Sequence, residues 1–375
     1  MASARLKVRA ATIDDVAAVG ALQRSVGFKA HSEAGWRWLF TENPALASYA
    51  SRPAQGWVLE GEHGVVGYLG NIPQAYVLDG QPLRAATCSG YVVHEGARGD
   101  SLKLLQAWFK QPEVGLFLST TANAESEELY RLCKAEPPAD ASFRTGLVWV
   151  GADRPAVAAR LDARGVPLAR PLSIFGGPAS RVARRLTGRA RVPRHPGVAE
   201  VRARGVEAID HRYDALGALL AAEPGLHLRR DAVTLRWMLS DPDAPAPVLL
   251  EVERDGHLVG WAVCATHHPA DRTGPQVRLL DLVVAPGRAG LVPALLRAAA
   301  DLARRAGAGL LYAPPCGAEL SATLHALGAE AHPRAHQSHW IRAKNREDTA
   351  RFVAAGVWRA TGLDGDVPFC VEGQP

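Results

Sequence analysis

The chain has 375 residues, 47% of them hydrophobic and 22% charged, with a formal net charge of +5. That length suits two globular domains, each able to bury a core, and no apolar run approaches the roughly 20 residues of a membrane-spanning helix. Five scattered cysteines with no CxxC pair argue against a disulfide framework or a cysteine zinc site, and the mild positive charge suits a phosphate-bearing cofactor as well as nucleic acid.

Residues 6–10 read as a short strand. Thr12, three residues before Asp15, opens the periodic run Val16, Val19, Leu22, Val26, which predicts a helix. Residues 57–69 and 73–78 alternate and predict antiparallel strands turned at Gly64 and Asn71. Trp36 to Pro44 reads as a core helix ended by Asn-Pro rather than as an acceptor-site lid. Thr87 to Val93 is a strand, and the loop Gly96 to Ser101 leads into a helix from Leu102 to Trp108. A strand from Gly115 to Ser119, a loop from Thr120 to Asn123 and a helix from Ala124 to Cys133 follow.

The second half repeats this order. Helices are predicted at 213–222, 291–306 and 318–327, and strands at 247–253, 258–266, 276–284, 309–312 and 338–342. The residues themselves recur in register. Val8-Arg9-Ala10 returns as Val201-Arg202-Ala203, Trp38 as Trp237, and Gly67 as Gly260, at offsets of 193 to 199. A repeat with so long a period means two copies of one domain, each a mixed α/β sheet with helices on both faces. The expected boundaries are 1–165 for the first copy, 166–199 for a linker, 200–345 for the second copy and 346–375 for a tail. The linker carries Arg181, Arg184, Arg185, Arg189, Arg191 and Arg194. With no aromatic residue from 176 to 212 to stack on bases, a solvated linker is preferred over a nucleic-acid patch.

The segment from Thr87 to Cys133 carries the chemistry. A loop of small residues at a helix start gathers free N–H groups at the positive end of the dipole, which is a ready anion site. Neither GxGxxG nor GxxxxGK[ST] is present, so neither nucleotide fold is supported. Val93-His94-Glu95-Gly96-Ala97-Arg98-Gly99-Asp100-Ser101-Leu102-Lys103 resembles the strand and Arg/Gln-x-x-Gly-x-Gly/Ala segment of the GCN5-related N-acetyltransferases, the GNAT superfamily. Arg98 and Gly99 match, while Ser101 and Lys103 stand where small residues are usual. Asn123-Ala124-Glu125-Ser126-Glu127-Glu128-Leu129-Tyr130 is similar to the second signature, Asn-x-x-Ala/Ser-x-x-x-Tyr, with Lys134-Ala135 in place of its Gly-Phe.

The resemblance covers roughly 6–145 and 200–343. It implies an α/β (α+β) fold of two tandem GNAT-like domains, each a mixed, mostly antiparallel sheet flanked by helices. It further implies that Gly96 to Lys103, with Arg98, Gly99, Asp100, Ser101, Leu102 and Lys103, hold the pyrophosphate of acetyl-CoA or another acyl-CoA. A strand-edge amide near Val92 or Val93 polarises the thioester carbonyl. Asn123 helps hold the cofactor, and Tyr130 protonates the departing thiolate. The general base is open, with Glu95, His94 and Glu127 candidates by residue type alone. In the second copy Leu324 stands at the tyrosine position and Gly317 at the asparagine position, so that copy is expected to lack the acid.

The expected activity is acyl-CoA-dependent N-acyl transfer to a small-molecule amine, by direct attack in a ternary complex. Two other readings stay open: an inactive scaffold, and an acyltransferase whose donor is an acyl carrier protein. No metal is expected. His332, His336 and His339 have metal-like spacing, but the flanking Trp340-Ile341 suggests a strand, on which His332 and His336 share a face and His339 does not. His267-His268 falls in a predicted loop, and Asp364-Gly365-Asp366 is read as a turn rather than a cation site. Arg5, Lys7 and Arg9, followed by acids rather than an apolar stretch, give no signal peptide, and the expected location is the cytoplasm.

Overall fold

The repeated pattern folds into two seven-stranded sheets in a computed structural model that describes residues 6–150, 200–268, 275–308, 310–332 and 338–369. The basic linker lies within 151–199 and His336 within 333–337, both outside the described residues.

The first sheet holds β1 (Lys7–Ala10), β2 (Gly56–Gly61), β3 (Gly64–Leu78), β4 (Gln81–Val93) and β5 (Leu116–Ala122) in that order. The turn expected at Asn71 is not made, because β3 runs unbroken through it. A buried asparagine is tolerated there because its amide is saturated. It donates to Ala54 O at 2.8 Å and Gln111 Oε1 at 3.0 Å, and accepts from Trp108 Nε1 at 3.0 Å. The chain reverses instead at Asp79-Gly80, both at positive φ (49° and 79°), as a two-residue hairpin requires.

The second sheet holds β7 (Val201–Arg204), β9 (Val248–Arg254), β10 (His257–His267), β11 (Gln276–Val284) and β12 (Leu310–Ala313). Each sheet is completed by a strand from the other half. β6 (Leu147–Val150) lies toward the end of the first copy in sequence, yet pairs with β12 and with β13 (Glu330–Ala331) of the second. β14 (Ser338–Ala343) lies at the end of the second copy and pairs with β5 of the first. The short β8 (Leu226–Leu228) adds to β3. The exchange covers the outer side of β5 and of β12, which would otherwise present unpaired backbone.

Helices pack on both faces of each sheet. α1 (Val16–Ser25) and α2 (Glu33–Thr41) from the first half, with α5 (His211–Ala221) and α6 (Ala232–Met238) from the second, build one shared inner core between the sheets. α3 (Ser101–Trp108) and α4 (Ala124–Leu132) cover the outer face of the first sheet. α7 (Val292–Arg305) and α8 (Ala318–Ala326) cover that of the second. The expected start of α1 is formed, with Thr12 N donating to the Asp15 carboxylate at 2.9 Å.

The repeated tryptophans meet each other. Trp38 Nε1 donates to Trp237 O at 2.8 Å and Trp237 Nε1 to Trp38 O at 3.0 Å, with ring centroids 5.4 Å apart. These helices are core, and α2 ends before Asn43, whose side chain caps the next turn by accepting from Ala45 N.

After α9 (Arg346–Val353) the chain threads between the sheets. Trp358, Leu363 and Phe369 enter the inner core, and Phe369 lies against Trp38 and Trp237.

Candidate active site at the opening of the first sheet

β4 and β5 run parallel for three rungs only: Ala85 opposite Leu116, Ala86 opposite Phe117 and Thr87 opposite Leu118. Beyond Thr87 and Leu118 both strands continue, to Val93 and Ala122, but no longer in register with each other. Their divergence leaves an opening in the sheet. The loop expected from Thr120 is therefore partly strand, and β14 supports it on the far side.

A bulge widens the departure. Ser89 is opposite Gly70 and Val92 opposite Tyr68, so Gly90 and Tyr91 together face Leu69. Gly90 sits at φ 62°, a conformation glycine adopts without strain. Val92 is buried, Val93 half-buried, and both stay in register with β3.

Tyr130 reaches this opening from the outer face. Its Oη lies 2.8 Å from Sγ of Cys88, the first β4 residue past the last rung. Its ring stacks on Trp340 of β14, centroids 6.1 Å apart. α4 aims the phenol because its start is fixed by a reciprocal cap: Asn123 Oδ1 accepts from Ser126 N at 3.0 Å, and Ser126 Oγ accepts from Asn123 N at 3.0 Å. Asn123 is thus exposed and holds the helix start. Burial, and then the neighbouring Cys88, push the phenol well above its ordinary value. Burial pushes the Cys88 thiol up to about 12. Both groups keep their protons at neutral pH, so the pair can donate one.

The residues expected to hold a pyrophosphate lie together before and at the start of α3. Where a loop was expected, Glu95–Asp100 forms a 3-10 turn running into the helix, and His94 Nδ1 accepts from Gly96 N at 3.3 Å. Arg98 and Gly99 are exposed, and a Cβ on Gly99 would meet nothing within 4 Å. Arg98 lies 3.7 Å from Glu125, and Lys103 pairs with Asp100 at 2.5 Å. Such exposed pairs are weak and exchange readily for a stronger anion. Ser101 and Leu102 are half-buried, and Ser101 O accepts from Tyr91 Oη at 3.0 Å.

The equivalent place in the second sheet is filled by the chain itself. β11 and β12 share three rungs ending at Arg278 opposite Tyr312. Beyond them lies the segment 358–364. Gly317 N donates to Ala360 O at 2.9 Å, and a Cβ on Gly362 would lie 2.9 Å from Leu280 O. Arg230, 3% exposed, bonds Asp281 of β11 at 3.1 and 3.2 Å, Thr361 at 2.9 Å and Asp364 at 3.4 Å. Trp261 Nε1 also donates to Asp281. Leu324 is fully buried among apolar neighbours.

Sequence reasoning named Tyr130 but missed Cys88, Trp340 and the pair Thr120-Thr121, which line the same opening. Trp340 arrives on an exchanged strand, so no local pattern marks it. Asp364-Gly365-Asp366 is a turn, with Gly365 at φ 70°, but its two carboxylates are buried. His339, buried on β14 against Phe143 and Trp358, is driven down to about 3 by burial and stays neutral. Among the described residues no group of three or more His, Cys, Asp or Glu side chains is placed to hold a metal, and no helix is long and apolar enough to cross a membrane.

Residues 213–325 match the sequence profile of the acetyltransferase (GNAT) family. No curated protein matches the chain. Among solved structures it is similar to a GCN5-related N-acetyltransferase from Anabaena variabilis (TM-score 0.56, 13% identity, covering 91% of this chain and 73% of that one). It is similar also to one from Kribbella flavida (0.53, 15%, 91% and 71%). A third is the N-myristoyltransferase of Saccharomyces cerevisiae, solved with bound myristoyl-CoA (0.55, 12%, 92% and 80%). Residues 213–325 are thus similar to the GNAT acetyltransferase family, and the described chain as a whole has the GNAT fold, two mostly antiparallel sheets flanked by helices.

Proposed function

We propose that the chain is an acyl-CoA-dependent N-acyltransferase whose donor thioester lies in the opening between β4 and β5. The observation that carries this is the Tyr130 phenol, held 2.8 Å from Cys88 where the two strands part. A buried phenol that keeps its proton can hydrogen-bond the thioester sulfur and pass that proton to it as the C–S bond breaks. The bulge at Gly90-Tyr91 turns backbone groups toward the thioester carbonyl, with the strand-edge amide near Val92 or Val93 as the donor. The start of α3, from Gly96 to Lys103, takes the pyrophosphate on backbone amides, with Arg98 and Lys103 leaving their acidic partners for it. Acetyl-CoA is the simplest donor. The yeast relative with myristoyl-CoA supports a longer chain equally in the same fold. The acceptor is a small-molecule amine that attacks directly.

The work falls to the first copy. In the second, Leu324 cannot donate a proton, and Trp358 to Leu363 occupy the equivalent opening. The test is Tyr130→Phe. Turnover should fall at least about tenfold while acyl-CoA still binds, since an acid of this kind contributes roughly 10²–10⁴. Undiminished turnover rejects the role. The pairing of Arg98 and Lys103 with acids favours a second reading, a binding scaffold. Calorimetry with acetyl-CoA decides between the two, because a scaffold gives no heat.

A further inference from the structure

We propose that Asp366, brought by the end of the chain, is the general base of this acyl transfer and takes the proton of the attacking amine from the face of the sheet opposite Tyr130. The proposal rests on the acyl-transfer reading above and deepens it.

The two faces are distinct. Along β5, Phe117 packs outward with Ala86, Cys88 and Tyr130. Leu116 and Leu118 pack inward, and alternation continues that inner row to Thr120. Asp366 docks on this row. Its carboxylate accepts from Thr120 N at 2.6 Å, from Thr120 Oγ1 at 2.7 Å and from the Thr121 hydroxyl. Thr120 is two residues past the last β4–β5 rung, and neither β4 nor β14 offers it a register partner. The carboxylate therefore sits in the stretch where the sheet has opened, one strand away from Cys88 and its phenol.

The docking is shaped for this turn. Gly365 O accepts from Gln74 Nε2 at 2.9 Å, and Gly365 N donates to Tyr76 Oη at 3.3 Å. A Cβ on Gly365 would lie 2.3 Å from Thr120 Cγ2, so only glycine lets the turn seat. The sequence-named base candidates are placed differently: Glu95 and His94 are exposed beside α3, and Glu127 is half-buried on α4.

The titratable groups that face this turn include Cys88 on β4 and Tyr130 on α4, both acted on by the Asp366 charge, Tyr76 on β3, which meets Gly365, and Asp364 in the turn itself. Arg230 bonds Asp364 and Asp281. Burial pushes the Asp366 carboxyl above the usual carboxylate range, and the threonine donors pull it back. A carboxylate made more basic in this way is better matched to accepting a proton near neutral pH.

The reaction balances. The amine nitrogen forms a bond to the thioester carbonyl carbon and loses one proton to Asp366. The C–S bond breaks, and the sulfur takes the Tyr130 proton. Asp366 and Tyr130 then exchange their protons with water, leaving amide and free CoA.

The test uses the full chain as wild type, Asp366→Asn and Thr121→Val. Acetyl-CoA binding is followed by calorimetry, folding by thermal melting, and thiol release from acetyl-CoA across pH, with water and with aniline as acceptors. Aniline is unprotonated near neutral pH, so its own titration does not mask the enzyme's. Asp366→Asn should bind acetyl-CoA like wild type, lose about 100-fold in turnover and lose the rising limb of the pH profile. Thr121→Val removes a donor to the charged form, so the rising limb should move to higher pH. Turnover within threefold of wild type, or an unchanged limb, in Asp366→Asn overturns the proposal. If that variant does not fold, an unmoved limb in Thr121→Val overturns it. A wild-type chain that binds no acetyl-CoA, or binds it and never releases thiol above the spontaneous rate, overturns the acyl-transfer reading itself.

Discussion

Arg230 shows what a single buried side chain does here. It is 3% exposed and answers two carboxylates, Asp281 of β11 and Asp364 of the terminal segment, and it donates also to Thr361 Oγ1 and Leu228 O. Burial still pushes the Asp364 carboxyl upward, with Arg230 opposing it. Replacing Arg230 by Met would strand both acids in the core, and breaking a buried pair from one side costs about 3–5 kcal/mol. Thermal or urea melting of Arg230→Met should show a loss of that size, and a loss below about 1 kcal/mol would mean that water already reaches the cluster. Tyr130 belongs to the same scale. Its residue type and its place in Asn123-x-x-Ser-x-x-x-Tyr130 were legible, because both depend on spacing within one helix. Its contact with Cys88 was not, because that depends on how far α4 stands above β4.

Among the elements, the start of α8 is the most constrained. Gly317 stands where the first copy has Asn123, and a Cβ there would lie 2.8 Å from Trp358 O and 3.2 Å from Ala360 N. Both are backbone atoms and cannot move aside as a side-chain tip would. Gly317→Ala should therefore cost about 1–3 kcal/mol, read from the denaturation midpoint. A neutral result would mean that the terminal segment is only loosely seated. From the sequence alone this glycine was a missing asparagine. The structure shows a positive requirement: α8 must begin under a crossing strand of chain, whereas α4 begins in the open and can use its cap. Similarly, Asn71 read as a turn residue because isolated asparagines favour turns. Its amide partners lie on α3, at Gln111 and before β2, and such partners cannot be seen in a strand's own pattern.

At the scale of the whole molecule, the two halves share strands and a core. β14 completes the first sheet, β6 completes the second, and the inner core draws on both halves together with Trp358, Leu363 and Phe369. A chain cut within 151–199 should give two fragments that form a cooperative, monomeric complex when co-expressed. Residues 1–150 alone, with β5 uncovered and β6 without a partner, should aggregate or melt without cooperativity. Size-exclusion chromatography and circular dichroism on the fragments check this. Two independently folded halves would show that the exchange contributes little.

The sequence by itself determined the order of elements and the helix starts, and it carried the recurring segments and the Asn123-to-Tyr130 spacing. All of these are written in spacings of a few residues, where apolar period and capping act locally. Only the tertiary structure decided that the last strands trade places, that the second opening is filled, and that a carboxylate 246 residues from Thr120 sits beside it. Contacts so distant leave no periodic trace, because any chain path that brings Asp366 to β5 would satisfy the same local preferences.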